Sequence, residues 1–381
     1  MRPERKHVSV LFQPGRARVV KQPLGVVGII VPWNYPLYLA VGPLISALAA
    51  GNRAMIKMSE MTPRFAELFE KLIGSYFAQD YVAVVNGGVD VAQAFAAKPF
   101  DHLLFTGSTA VGHSVMRSAA ENLTPVTLEL GGKSPAIVAP DFPVDVAARR
   151  IIWGKCLNAG QTCIAPDYVL VPEGKEQEFI DTARDEVQRL YPAGAASADY
   201  SAIINARHYA RLKGYLKDAQ AKGAKSALLA EGESETSRKL PPALVTGVTD
   251  AMQIMQDEIF GPLLPIVPYR SIDDALAYVG KRPRPLAMYY FDYDRARIRR
   301  ILNDSIAGGV TINDTVLHIA QDNLPFGGVG PSGMGQYHGE EGFNLFSKRK
   351  GVFLQSRFNG LRLFKPPFGR QIETILKWLL R

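Results

Sequence analysis

Cysteine is scarce: the 381 residues hold two thiols, Cys156 and Cys163. Two thiols cannot form the disulfide framework of a small secreted domain, and Met1-Arg2-Pro3-Glu4-Arg5 opens no apolar segment with an Ala-x-Ala end, so a reducing cytoplasm is the expected compartment. Internal repeats and low-complexity tracts are also missing. The longest uncharged run is the 31 residues 22–52, but Pro32, Asn34, Pro36 and Pro43 interrupt it. A strand, a loop and a helix account for that run better than a membrane span does. The formal charge of +8 comes from clusters at Lys281-Arg282-Pro283-Arg284, residues 295–300 and Lys348-Arg349-Lys350. These are scattered and not interleaved with stacking aromatics, so they read as solvated faces and not as a nucleic-acid surface. No metal site is expected.

What is present suits an enzyme. A hydrophobic content of 47% and 34 glycines allow one or two sizeable α/β cores. Residues 25–31 read as a buried parallel strand, 36–50 as a helix, 53–57 as the next strand and 102–106 as another. Lys57 and Glu60 therefore fall just past a strand's carboxyl end, where open α/β sheets bind nucleotides. Gly107-Ser108-Thr109-Ala110-Val111-Gly112 turns into a helix whose amino terminus can face a phosphate.

The chemistry concentrates in Asn158-Ala159-Gly160-Gln161-Thr162-Cys163, a small polar loop that presents a thiol. Cys156 lies in the apolar run 151–157 and reads as a small core hydrophobe. Glu129, in Leu128-Glu129-Leu130-Gly131-Gly132-Lys133, reads as a carboxylate brought to a crevice at a strand end. Asn34, in Pro32-Trp33-Asn34-Tyr35-Pro36, offers an amide, although a turn residue between prolines would look the same.

In order and spacing these motifs resemble the aldehyde dehydrogenase superfamily. The resemblance implies an α/β fold with a parallel-sheet cofactor domain, an α/β catalytic domain and a small oligomerisation strand element. Cys163 is the implied nucleophile, Glu129 the base, and Asn34 with the backbone N–H of Cys163 the oxyanion donors. Trp33, Lys57, Glu60, Gly107, Ser108, Gly112, Glu258 and Phe260 are the implied cofactor contacts, with Glu258 at the nicotinamide ribose and Phe260 beside the ring. Glu60 would accept a hydrogen bond from a 2′-hydroxyl and repel a 2′-phosphate. NAD is therefore favoured, with NADP accepted by related enzymes that keep this glutamate.

Within the superfamily, Lys57-x-Ser59-Glu60, Phe12-Gln13-Pro14 and residues 325–335 resemble the class 3 branch, bacterial coniferyl aldehyde dehydrogenases first and fatty aldehyde dehydrogenases next. The expected substrate is an aromatic, coniferyl-type aldehyde or a medium- to long-chain aliphatic one, with Tyr35, Tyr38 and Trp153 near its entry. The alternatives are an acylating enzyme that passes the thioester to coenzyme A, and an inactive truncated homologue that acts as a binding protein. The expected division is a cofactor domain at 22–130, a catalytic domain at 131–340, oligomerisation strands at 7–21 with 345–358, and a tail at 359–381. A hairpin of residues 7–12 with 17–20, joined to 351–355, would build a homodimer. In the tail, Ile372, Ile375, Leu376 and Leu379 share one helical face, suited to docking over the substrate entrance or to peripheral membrane contact. The chain opens inside the family pattern: either its true start lies upstream, which is the reading preferred, or the chain is a natural truncation, and the early cofactor-domain helices are expected to expose apolar faces.

Overall fold

The computed structural model describes residues 2–359, 365–368 and 370–379. Two strands open the chain, β1 (Glu4–Lys6) and β2 (Arg16–Pro23). An alternating series follows: β3 (Val26–Ile30), α1 (Pro36–Ala49), β4 (Arg53–Lys57), α2 (Pro63–Tyr76), β5 (Val82–Val85), α3 (Val89–Ala96), β6 (His102–Thr106), α4 (Thr109–Ala120) and β7 (Val126–Glu129). Parallel strands covered on both faces need continuous apolar sequence, which is why His-Leu-Leu-Phe-Thr of β6 is buried at every position. Prolines start α1 and α2 at positions where no intrahelical donor is needed. Pro43, expected to interrupt the uncharged run, lies inside α1.

A second series comprises β8 (Pro135–Val138), α5 (Val144–Cys156), β9 (Tyr168–Pro172), α6 (Glu176–Leu190), α7 (Ala206–Ala221), β10 (Lys225–Leu228), β11 (Ala243–Thr246), α8 (Gln253–Gln256), β12 (Leu263–Tyr269), α9 (Ile272–Gly280), β13 (Ala287–Phe291), α10 (Arg295–Asp304) and β14 (Gly309–Ile312). The chain ends through β15 (Gly333–Met334), α11 (Gly339–Leu345), β16 (Ser347–Leu354) and α12 (Arg370–Leu379).

Three sheets result. The first has the order β15-β7-β6-β3-β4-β5 and is parallel except for β15. The chain winds outward from β3 to β5 and then returns to place β6 on the other side of β3. That reversal opens a crevice beyond the carboxyl ends of β3 and β6, the usual ligand position in an open α/β sheet. The second sheet has the order β10-β11-β12-β9-β8-β13-β14, with β10 antiparallel to its neighbour. The third, β1-β2-β16, is antiparallel.

Two expectations are corrected here. The first arm of the hairpin is Glu4–Lys6 and not residues 7–12. Residues 10–12 instead form a single 3-10 turn, closed by Phe12 N–H to Ser9 O and Gly15 N–H to Phe12 O at 2.9 Å each, while the Phe12 ring packs 6.3 Å from that of Phe353. Local turn bonds and the missing N–H of Pro14 pull this segment off the sheet edge. The sheet boundary also moves: β15 lies within the range assigned to the catalytic domain, yet it pairs with β7 in the cofactor sheet.

On α2, Leu68, Leu72 and Tyr76 are exposed at successive helical turns, in a row beside the buried Ala66, Phe69 and Ile73. The tail helix is present as α12, with Ile372 half-buried and Leu376 exposed. The side chains of Ile375 and Leu379, named for the same face, lie outside the described residues. Among the described residues no helix is long and apolar enough to cross a membrane.

Candidate active site

The thiol loop follows α5 and is wound against the usual hand. Asn158, Ala159 and Gly160 have φ of 50°, 52° and 73°, three left-handed residues in succession. Strain of this kind persists only where surrounding contacts over-determine it, and here they do. A Cβ on Gly160 would lie 2.2 Å from the backbone oxygen of Gly261. Gln161 donates to Asn158 O at 3.1 Å and Ala202 O at 3.0 Å and accepts from Ile204 N–H at 2.9 Å. The Tyr35 hydroxyl lies 2.7 Å from the Thr162 hydroxyl. Cys163, at the end of this loop, is half-buried, whereas Cys156 is buried.

Asn34 reaches the same loop. Its side-chain amide donates to Gln161 O at 3.1 Å, and Asn158 donates to Asn34 O at 3.3 Å. One of the two amide hydrogens is thus used to hold the loop, and the other is available. Glu129 ends β7 and is 2% exposed, and neither carboxylate oxygen has a protein hydrogen-bond partner. Burial raises its pKa well above the ordinary carboxylate range. Burial also pushes the Cys163 thiol up to about 12, with the charges of Glu258 and Glu129 adding to the effect and the backbone N–H groups of Cys163 and Ile164 opposing it. The structure therefore brings Cys163, Glu129, Asn34 and Glu258 to one place.

The loop that carries Glu258 and Phe260 is held by an ion pair that sequence reading missed. Lys133 is salt-bridged to Asp167 and donates to the carbonyls of Ile254 at 2.8 Å and Asp257 at 2.9 Å, while Asp167 accepts from Ile259 N–H at 2.8 Å. Arg211 adds bonds to Glu258 O at 3.3 Å and Ile259 O at 2.8 Å. Burial and the nearby Asp167 raise the Glu258 pKa to about 8 against the Gly132 N–H and the Lys133 and Arg211 charges. Gly131 leaves room for this carboxylate, since a Cβ on it would sit 2.0 Å from the nearer Glu258 oxygen and push it aside. Removing one partner of a buried pair strands the other charge, so Lys133→Met should cost about 3–5 kcal/mol in urea unfolding. A loss comparable to that of an exposed lysine substitution would contradict this role.

The family model for the aldehyde dehydrogenase family matches residues 3–352. The chain belongs to that family. It is 59% identical over 377 residues to a probable coniferyl aldehyde dehydrogenase of Pseudomonas aeruginosa, covering 99% of this chain and 79% of that one. It is 44% identical to aldehyde dehydrogenase family 3 member A2 of Rattus norvegicus, over 99% of this chain and 76% of the relative. Among solved structures, the substrate-bound state of Staphylococcus aureus AldH superposes with a TM-score of 0.93 at 41% identity, covering 99% of this chain and 82% of the other. A Mycobacterium tuberculosis aldehyde dehydrogenase complexed with NAD+ gives 0.84 at 32% identity, covering 93% and 74%. The aldehyde dehydrogenase fold expected from sequence is thus the fold observed.

The residues expected to contact the cofactor of this aldehyde dehydrogenase occupy two places. Lys57 ends β4 beside the crevice, where its ammonium donates to Met58 O at 2.7 Å and Gly87 O at 2.9 Å. Burial lowers its pKa, and Glu60 and Asp90 oppose that. Glu60 is exposed next to it. Gly107 and Ser108 follow β6; Ser108 caps α4 by accepting from Val111 N–H at 3.4 Å, and Gly112 lets α4 lie against Leu130. Across the crevice, the Trp33 ring meets that of Phe260 edge-on at 5.4 Å. The buried hydroxyl of Thr106, at the end of β6 and in register with Glu129, has no protein partner. Thr106, Lys133 and Asp167 could not be singled out in the sequence because their roles depend on contacts far along the chain, and Tyr35, expected near the substrate entry, instead braces the thiol loop through Thr162.

Proposed function

We propose that this protein oxidises an aldehyde to a carboxylic acid with NAD as acceptor, through a thiohemiacetal and a thioester on Cys163. The observation that carries the reading is the convergence of a half-buried thiol, a buried and unpartnered carboxylate and a free amide hydrogen at one strand-end crevice. The Cys163 thiol gives its proton to solvent water, and the sulfur bonds to the aldehyde carbon. The carbonyl oxygen gains the charge and is held by the Asn34 amide and the Cys163 N–H. In deacylation, water bonds to the acyl carbon and gives its proton to Glu129, the C–S bond breaks, and the acid leaves.

The crevice residues fit NAD. The α4 amino terminus suits a pyrophosphate, Glu60 a ribose hydroxyl, Glu258 the second ribose, and the Trp33 and Phe260 rings an apolar border. When bound, NAD supplies a positively charged ring and accepts the hydride. NADP is disfavoured by the Glu60 carboxylate.

The substrate class we favour is an aryl-propenal of the coniferyl type, with medium- and long-chain aliphatic aldehydes second. Its support is three relatives, two named probable coniferyl aldehyde dehydrogenase at 59% and 49% identity and one named coniferyl aldehyde dehydrogenase at 47%, and the exposed aromatic rings of Trp153 and Tyr38. Tyr35 is committed to the thiol loop through Thr162 and is not free to grip a substrate. A homodimer built on the third sheet is also part of the proposal, because β16 is an edge strand that exposes Phe353 and Leu354.

Glu129→Gln tests the role of the base. The variant should release acid at least about 10²-fold more slowly than the natural protein, with the thioester accumulating if the carboxylate acts mainly on water. Because burial raises the Glu129 pKa, its basic form is lost as pH falls through a value well above the ordinary carboxylate range. Deacylation in the natural protein should therefore decline toward acid while the fold is still intact, measured as acid release against pH. Unchanged turnover in Glu129→Gln would remove the glutamate from the mechanism.

A further inference from the structure

Tyr337 is 1% exposed, and its hydroxyl has no protein hydrogen-bond partner. Leaving a buried polar group unpaired costs about 1–3 kcal/mol, so such a group calls for an explanation. The backbone around it is fixed. Gly333 of β15 lies opposite Glu129 in register, and Leu130 N–H donates to Ser332 O at 3.1 Å. Four residues beyond Gly333, Tyr337 and Phe326 exchange backbone hydrogen bonds of 2.8 and 2.9 Å. The ring passes 3.8 Å from the place a Cβ would take on Gly42 of α1, and its centroid lies 6.1 Å from that of Phe326 and 4.6 Å from that of His338.

From this position the hydroxyl feels the charges of Glu129, Tyr38 and Cys163, which add to burial in raising its pKa well above the ordinary tyrosine value. Both oxygens of Glu129 are likewise buried and unpartnered. A buried donor without an acceptor thus lies within electrostatic range of a buried acceptor without a donor, on the stretch that β15 lays against β7, with no hydrogen bond between the two in this structure. The other titratable groups about this space are Cys163 on its loop, Glu258, Tyr35 and Tyr289 within electrostatic range of the thiol, and Tyr38 and His338 beside the Tyr337 ring.

We propose that Tyr337 is a positioning residue for deacylation, its O–H donating to one oxygen of the ionised Glu129 and leaving the other to take the proton of the attacking water. The phenol keeps its proton throughout. The proposal rests on the reading of Glu129 as the deacylation base. A hydrogen bond to the charged form favours that form, so the phenol works against the burial that holds the glutamate neutral.

The test measures the nicotinamide burst and single-turnover acid release separately, against pH, for the natural protein, Tyr337→Phe, Glu129→Gln and the double variant. Tyr337→Phe keeps the ring and removes only an unpaired hydroxyl. It should retain the burst, slow acid release about tenfold at neutral pH and move the acid limb of that step up by about one unit, as expected for one lost hydrogen bond to a carboxylate. Added to Glu129→Gln, it should change acid release no further. Natural acid release and an unmoved acid limb in Tyr337→Phe overturn the proposal. A burst slowed as much as acid release, or a second full loss in the double variant, does so equally. Natural acid release in Glu129→Gln would instead overturn the reading of the base itself.

Discussion

Cys163→Ala should abolish aldehyde oxidation while NAD binding survives. The substitution deletes the sulfur that bonds to the carbonyl carbon and leaves the crevice at β3 and β6 untouched. The loss should exceed about 10⁴-fold, since no other described thiol is placed to substitute and removal of a nucleophile leaves only binding and oxyanion stabilisation. Cys156 is the internal control. It is buried on α5 in the main core and its pKa is pushed up to about 12, chiefly by burial. Cys156→Ala should therefore cost some stability and leave turnover near natural. Measured turnover in Cys163→Ala, or a greater loss in Cys156→Ala, would reverse the assignment of the two thiols.

Asn34→Ala carries the second large effect. One amide hydrogen bonds Gln161 O, and the other is free for the charge that develops on the substrate oxygen. Losing an oxyanion donor should lower the acylation rate by about 10²–10³. The anchoring bond is lost as well, so the loop should loosen. Burst kinetics separate the two consequences: a lost oxyanion donor slows acylation, whereas a loosened loop also weakens substrate binding. A burst within twofold of natural would leave Asn34 as a turn residue between two prolines.

The parallel strands were legible because double-sided burial imposes unbroken apolar runs, and β4 and β6 fall on residues 53–57 and 102–106 as expected from sequence. The sites at strand ends were legible for a related reason. A carboxylate between two leucines and a polar loop after an apolar helix are local conflicts with burial, and such conflicts mark function. What could not be read depended on distant partners. The Lys133–Asp167 pair joins residues separated by 34 positions, and the segment before Tyr337 lies opposite Glu129 only because β15 returns to the first sheet. Residues 7–12 misled because their apolar character suggests a strand, whereas turn bonds and the contact of Phe12 with Phe353 decide their shape. The three left-handed residues before Cys163 left little trace beyond Asn158 and Gly160, two residue types that tolerate that conformation.

The central claim is that Cys163 forms a thioester which Glu129 directs to water. Its most direct test is to incubate the purified protein with NAD and coniferaldehyde or hexanal, with and without coenzyme A, following nicotinamide absorbance and identifying the acyl product. The account predicts reduction of NAD with the free carboxylic acid as product under both conditions and no rate gain from coenzyme A. An acyl-coenzyme A product, or the absence of NAD reduction with either aldehyde, would contradict it.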